Sequence, residues 1–427
     1  MQDAAHTVVI GGGCLGTAAA VSIQRRLRQQ DRPGRVVLLE KSVLGAALSA
    51  RHSGIVRAAN ADQAAARLAV AATGMWRRLE DYWGVGLRAA QAGALWIAQA
   101  DGTGDNPKWR ALQASMEKSG IAFARVPFAR ARELCPAHVL LREDEVFYHE
   151  PDALQLDPGE VRTALYAALA KNGIDLREKT AATGFLRSAD GQVEGVLTEE
   201  GVIRCGQVVN ACGAWSPAVF ASLGLQIPVS VEPVTVVNWM TSHRELQAPM
   251  PILADYVNLA YFRSWRDGEL HMHQPRKRNQ RETARAFAES PLALMGADFV
   301  NDPTNQALGY SQIRLYEDIA RRRFASVDRT VFSSGYRSYF DITPDLRFIL
   351  GPDPRVPNLL HCLGAGQSFK YAPVFGELMA DYATGGGPLV PLAETFSIGR
   401  FDGDYMAQFW AQVAGRHYTL AVEEASL

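Results

Sequence analysis

Thr7-Val8-Val9-Ile10-Gly11-Gly12-Gly13-Cys14-Leu15-Gly16 decides the fold of this chain. A short β-branched run opens into three glycines, and a helical pattern follows over about residues 16–30. The run reads as a buried strand over residues 7–10. Pro33-Gly34 marks a turn, and Val36–Leu39 is the next strand, closed by Glu40. Together they begin a βαβ unit of an α/β sheet. Each position has a physical role. Gly11 permits a tight turn, Gly13 lets the backbone approach a pyrophosphate, and Gly16 lets the helix pack on the strand. Cys14 and Leu15 lead from Gly13 into the helix, whose free N–H groups and partial positive charge suit phosphates. Glu40 can accept from a ribose diol and would repel a 2′-phosphate. The glycines alone are a common pattern. The strand before, the helix after and the acid ending the next strand make them a dinucleotide fingerprint. Gly84-Val85-Gly86 lacks that setting, because it follows a helix-like segment containing Met75, Trp76, Leu79 and Trp83.

A chain of 427 residues is long enough for two domains. Hydrophobic residues make up 48% and charged residues 21%, as in ordinary globular proteins. The net charge of -1 gives no electrostatic case for nucleic acid or an anionic membrane. No apolar stretch approaches the ~20 residues of a membrane span. The first strand leaves no room for a signal peptide. The five cysteines are scattered, with no CxxC pair, so a disulfide framework and a zinc site are not indicated. A cytoplasmic protein is expected. His271 and His273 lie two apart on a strand and share a side, without a third ligand for a metal. Arg276-Lys277-Arg278 with Arg281 reads as a solvated loop.

Further along, Asp157-Pro158-Gly159-Glu160 is a helix start, with Asp157 as N-cap and a stop near Asn172-Gly173. His149-Glu150, just before it, reads as loop. Val193–Thr198 and a strand from Val202 flank a hairpin-like turn, and residues 208–215 are a strand running into small residues. Residues 227–272, rich in Val, Tyr, Phe and Trp, suggest an antiparallel sheet, and residues 274–325 suggest loops and helices. Residues 359–370 form strand and glycine turn, and residues 371–384 a closing helix. Gly366 would allow a flat ring to approach. A helix starts near Phe369, so the local pattern alone is that of a strand–turn–helix packing turn.

In order and spacing these segments resemble the D-amino-acid-oxidase/sarcosine-oxidase superfamily of FAD-dependent amine oxidoreductases. The likeness covers the fingerprint, the Asp157-Pro158 helix, residues 208–215, Thr343-Pro344-Asp345 with Ile349-Leu350-Gly351-Pro352, and residues 364–370. It implies a discontinuous Rossmann-like FAD domain (1–85, 145–225 and 328–390) and a substrate domain on an antiparallel sheet (86–144 and 226–327). The tail, 391–427, would pack on the FAD domain. FAD would be held by Gly11, Gly13, Cys14, Leu15, Gly16, Glu40 and Lys41, by Ser49, Arg51 and His52, and by Ala211, Gly213 and Trp215. Gly364, Gly366, Gln367, Ser368, Phe369 and Lys370 would complete the site.

The resemblance also places the substrate carboxylate on Arg57 and Lys370, a fork and an ammonium. It puts His271 near an oxygen-activating lysine and leaves Tyr261 as a pocket residue. Ser338 stands where some relatives carry the cysteine that bonds to the flavin, so FAD is expected to be noncovalent. Ala50 and Gly54 replace a histidine and an arginine, and Gln367 and Ser368 replace a histidine and a glycine. The implied activity is oxidation of the C–N bond of an amino acid or secondary amine bearing a carboxylate. The alternatives are a flavin dehydrogenase of a 2-hydroxy acid and a flavin subunit of a heteromeric sarcosine or opine oxidase. The expected partners are a small amine and either a second copy or a partner subunit.

Overall fold

The computed structural model describes residues 3–101, 103–243, 250–264, 269–275, 308–385 and 393–403. Two eight-stranded sheets organise them. In the first, Ala4–Ile10 lies between Val36–Leu39 and Gly201–Asn210 and runs parallel to both. Asp175–Arg177 and Val356–Leu363 extend the parallel array on either side. The hairpin Gly184–Arg187 and Val193–Thr198 pairs antiparallel with the start of Gly201–Asn210, and Ile349–Asp353 pairs antiparallel with Val356–Leu363. Val8, Val9, Val37 and Leu38 are fully buried. Such continuous apolar runs are what a parallel sheet covered on both faces requires.

The helix Cys14–Gln29 packs against the closing helix Ala372–Thr384. Ala18, Ala19 and Ala20 are fully buried there. A side chain on Gly376 would lie 2.6 Å from the Ala18 carbonyl oxygen, so glycine sets the close approach. Two segments more than 340 residues apart in sequence thereby form one layer.

The second sheet runs Val331–Ile342, Ser230–Met240, Glu269–Pro275, Ala260–Ser264, Ile252–Asp255, Ala94–Gln99, Glu145–Glu150 and Ala124–Val126. All its pairs are antiparallel except Ile252–Asp255 with Ala94–Gln99. The fold is therefore the expected one, an α/β sheet of the dinucleotide-binding kind beside an antiparallel sheet. Glu145–Glu150 and Val331–Ile342 pair in the second sheet, although domain bounds drawn at 145 and 328 put them with the first. The segments that carry the resemblance, Asp157-Pro158 and Thr343-Pro344-Asp345, follow these strands in sequence, and the bounds took the strands along. The reading of His149-Glu150 as loop is corrected likewise. Inside this sheet Arg323 donates to Asp255 (2.8 Å) and Glu145 (2.9 Å), and all three are at most 5% exposed.

Local signals read as anticipated. Asp157 accepts from the Glu160 N–H at 2.9 Å and starts Pro158–Lys171. Gly84, at φ +72°, stops the short helix Leu79–Trp83 and has no part in a dinucleotide turn. Residues 276–281, with their basic run, and most of the tail lie outside the described residues. No described helix is long and apolar enough to cross a membrane.

Candidate functional site

The three fingerprint glycines differ in what holds them. Gly11 has φ +110°, and a side chain there would collide with the Ala211 carbonyl. A side chain on Gly16 would collide with the Gly11 carbonyl. Gly13 has an ordinary φ of -80°, and a Cβ there would meet only the Ser49 hydroxyl, at 3.0 Å. Gly11 and Gly16 thus serve the fold, while Gly13 keeps the approach to the helix N-terminus open. Cys14 N–H donates to Ser49 Oγ at 2.8 Å. Leu15, next in the helix, is half-buried. The Glu40 carboxylate accepts from Gly12 N–H and Ser42 N–H, each at 2.8 Å, which fixes it at the end of its strand.

Across the turn, Lys41 Nζ lies 3.8 Å from the centre of the Trp215 ring. Ala211 N–H donates to Ile10 C=O at 2.9 Å, and Gly213 turns at φ +51°. A buried network pins this turn. Asn210 Oδ1 accepts from Cys212 N–H (3.1 Å) and the Ser216 hydroxyl (2.9 Å). Its Nδ2 donates to His361 Nδ1 at 3.1 Å, and His361 Nε2 donates to Asp353 at 3.0 Å. Burial pushes the His361 pKa down, in keeping with a neutral ring.

The seam between the sheets carries the second group of expected residues. The His52 ring stacks on Phe369 with centroids 3.6 Å apart. Gly54 N–H donates to His52 Nδ1 at 2.9 Å, so the proton sits on Nε2, which is buried without a hydrogen-bond partner. Burial, aided by the Arg263 charge, drives the His52 pKa down to about 3. Arg51 is half-buried beside it. Gly54 has φ +68°, and a side chain there would strike the Leu156 carbonyl, which explains why no arginine stands here. Gly366 turns at φ +74° against the Phe340 ring, and its N–H donates to Asp341 at 3.4 Å. Asp341 also lies beside Gly364 and Gly213, and burial pushes its carboxyl up to about 6. Gln367 accepts from Asn60 Nδ2 at 3.4 Å. Ser368 opens a 3-10 turn, Ser368–Tyr371, that leads into Ala372–Thr384.

Arg57, Tyr261 and Lys370 share one neighbourhood. The Arg57 guanidinium lies 4.7 Å from the Trp96 ring centre and 5.7 Å from that of Tyr261, and it donates to Ala59 C=O at 2.5 Å. Tyr256 stacks on Trp96, and its hydroxyl is 3.0 Å from that of Tyr261. Glu150 is fully buried. One oxygen accepts from Ala58 N–H (2.5 Å) and Ala59 N–H (3.2 Å), and the other accepts from the Trp96 indole (3.0 Å). Lys370 is 4% exposed, and its Nζ has no hydrogen-bond partner. Burial and the Arg57 charge hold its pKa well below the usual lysine range, with Glu150 acting in the opposite sense.

His271 is paired in register with Asn238 and Arg263, and Ser338 with Val234. The side chains of His271 and Ser338 lie outside the described set. Sequence reasoning set Glu150 aside as loop and gave no role to Trp96, Tyr256 or Asp341. The run Glu145-Val146-Phe147-Tyr148-His149-Glu150 carried a strand signal that would have put Glu150 in a sheet. Nothing local announces Trp96 or Tyr256, and Asp341 stands just before Thr343-Pro344-Asp345.

A family model described as DAO, FAD dependent oxidoreductase, matches residues 6–382. The 4-methylaminobutanoate oxidase (formaldehyde-forming) of Paenarthrobacter nicotinovorans is 25% identical over 394 residues, covering 90% of this chain and 44% of the oxidase. Mitochondrial dimethylglycine dehydrogenase of Rattus norvegicus is 24% identical over 398 residues, covering 92% of this chain and 44% of the dehydrogenase. The chain thus spans less than half the length of these two relatives. The structure of L-proline dehydrogenase from P. horikoshii superposes with a TM-score of 0.79 at 22% identity, over 94% of this chain and 98% of that one. That likeness is one of fold.

Proposed function

Because the chain belongs to the FAD-dependent oxidoreductase family, we propose that it oxidises the C–N bond of an amino acid or secondary amine bearing a carboxylate, with FAD held noncovalently. The residues present fit the cofactor. Gly13 leaves the helix N-terminus open, as a pyrophosphate would need, and Glu40 is held at the end of its strand, as the ribose-binding reading needs. The Nε2–H of His52 is buried without a hydrogen-bond partner, an unused donor. When bound, FAD supplies the hydride acceptor, and the imine product hydrolyses in water.

The protein's own contribution is placement and charge. Arg57 offers a fork of donors on an aromatic floor of Trp96 and Tyr261, and Lys370 stands beside it. One observation carries the reading. Among the described residues the carboxylate that bears on both Arg57 and Lys370 is Glu150, already engaged by three N–H donors, while Lys370 Nζ has no hydrogen-bond partner. Two basic groups around one occupied acid favour an anionic ligand, and a carboxylate suits the guanidinium fork. The names of the two relatives refer to amines of this kind, 4-methylaminobutanoate and dimethylglycine. His271 and Tyr261 remain pocket residues in this reading, without an assigned proton transfer.

The test is anaerobic mixing of the flavin-loaded protein with dimethylglycine, 4-methylaminobutanoate, L-proline and 2-hydroxy acids of matching size. Loss of the oxidised flavin absorbance with an amine supports the reading. Loss with a hydroxy acid alone moves the assignment to a hydroxy-acid dehydrogenase. Loss with none of them removes the proposed substrate class.

A further inference from the structure

Lys370 is buried, and the groups that bear on it come from separate elements. Arg57 follows the strand Ile55–Val56, Glu150 closes Glu145–Glu150, and Tyr371 adjoins it in the 3-10 turn with its ring centre 5.0 Å from Nζ. Tyr256 and Tyr261 reach Arg57 from the second sheet. The lysine's own carbonyl is fixed by the Trp76 indole at 2.8 Å. Arg57 carries its charge at any working pH. Glu150 spends its oxygens on Ala58, Ala59 and Trp96. An ammonium at Nζ would bring three donors into this enclosure with none satisfied, beside a permanent cation. A neutral amine avoids both penalties.

An amine substrate arrives with the complementary difficulty. In water its nitrogen is largely protonated, and an ammonium has no lone pair to stabilise the carbon as the C–H bond breaks. We propose that Lys370 waits as the neutral amine and takes the proton from the substrate's ammonium when the substrate carboxylate docks on Arg57. The inference rests on the carboxylate-binding reading above. The substrate N–H bond breaks with its electron pair left on nitrogen, and the proton bonds to the lone pair of Nζ. No electron changes hands and no other reagent is needed. The carboxylate offsets the field of Arg57, so Lys370 becomes basic only once the site is filled. The new ammonium then has the carboxylate as its partner. Lys370 would thus be a catalytic base as well as a carboxylate ligand.

The probe is 3-methylbutanoate, the carbon isostere of dimethylglycine, which has the carboxylate and no proton to give. It is bound to the oxidised, flavin-loaded protein in a weakly buffered indicator solution at pH about 8.5, where an ordinary lysine of pKa ~10.4 is already protonated. Wild type should take up about one proton per bound carboxylate, and flavin-loaded Lys370→Met and Lys370→Gln should take up none. Binding to wild type without uptake, or equal uptake by the Lys370 variants, overturns the inference. Failure of the carboxylate to bind, or equal binding by Arg57→Met, would instead sink the carboxylate reading beneath it.

Discussion

Asp341 shows how a single residue can tie the two sheets together. It ends a strand of the second sheet, yet its carboxyl lies against Gly213, Gly364 and Gly366 of the turns assigned to the cofactor. Burial raises its pKa from 3.8 to about 6. A raised carboxyl pKa means that its contribution is fully present below the unfolded value and is lost as pH rises through about 6. A shift of about two units corresponds to about 3 kcal/mol. The Asp341→Asn apoprotein should therefore gain stability relative to wild type as pH rises from about 4 to about 7. Thermal unfolding of both proteins across that range checks this, and parallel curves would exclude the ionisation. Arg57 and Lys370 were singled out through the resemblance alone, and the fold brings them into one neighbourhood. Glu150, Trp96 and Tyr256 were not. They bear on Arg57 only because Ala94–Gln99 pairs with both Glu145–Glu150 and Ile252–Asp255, a non-local arrangement.

At the scale of elements, the fingerprint divides into glycines that hold the turn and one that faces outward. Replacing Gly11 would force a side chain to φ +110° and into the Ala211 backbone. Replacing Gly13 meets only the Ser49 hydroxyl. Gly13→Val should accordingly fold with a melting temperature near that of wild-type apoprotein and fail to bind FAD, because the valine blocks approach to the pyrophosphate. Gly11→Val should be poorly folded. Full flavin occupancy in Gly13→Val would show that the phosphates lie elsewhere. Elements with a strong local signature were read closely: Val36–Leu39 to the residue, Cys14–Gln29 within two residues at its start, and Pro158–Lys171 through its cap. Glu145–Glu150 was not, because its six residues sit close to a helix start whose signal was stronger.

The whole molecule brings the two glycine signatures together from opposite parts of the chain. The helices that follow them pack on one another, and the second sheet closes the seam with Phe340 and Asp341. FAD held there would be noncovalent, since Ser338 has no thiol to form a thioether. Burial also keeps the described cysteines protonated, with Cys14 pushed up to about 11 and Cys135 and Cys205 to about 12. Acid precipitation should leave the yellow colour in the supernatant, and a yellow pellet would contradict this. The central claim is that an amine is oxidised while its carboxylate sits on Arg57. It is tested most directly by anaerobic flavin reduction in wild type and Arg57→Met, using a reactive carboxylate-bearing amine and its descarboxy analogue. A lost charge-assisted hydrogen bond of ~2–3 kcal/mol predicts a fall of roughly 30- to 150-fold in kcat/KM for the carboxylate-bearing amine and little change for the analogue. Equal losses for the two amines would contradict the account.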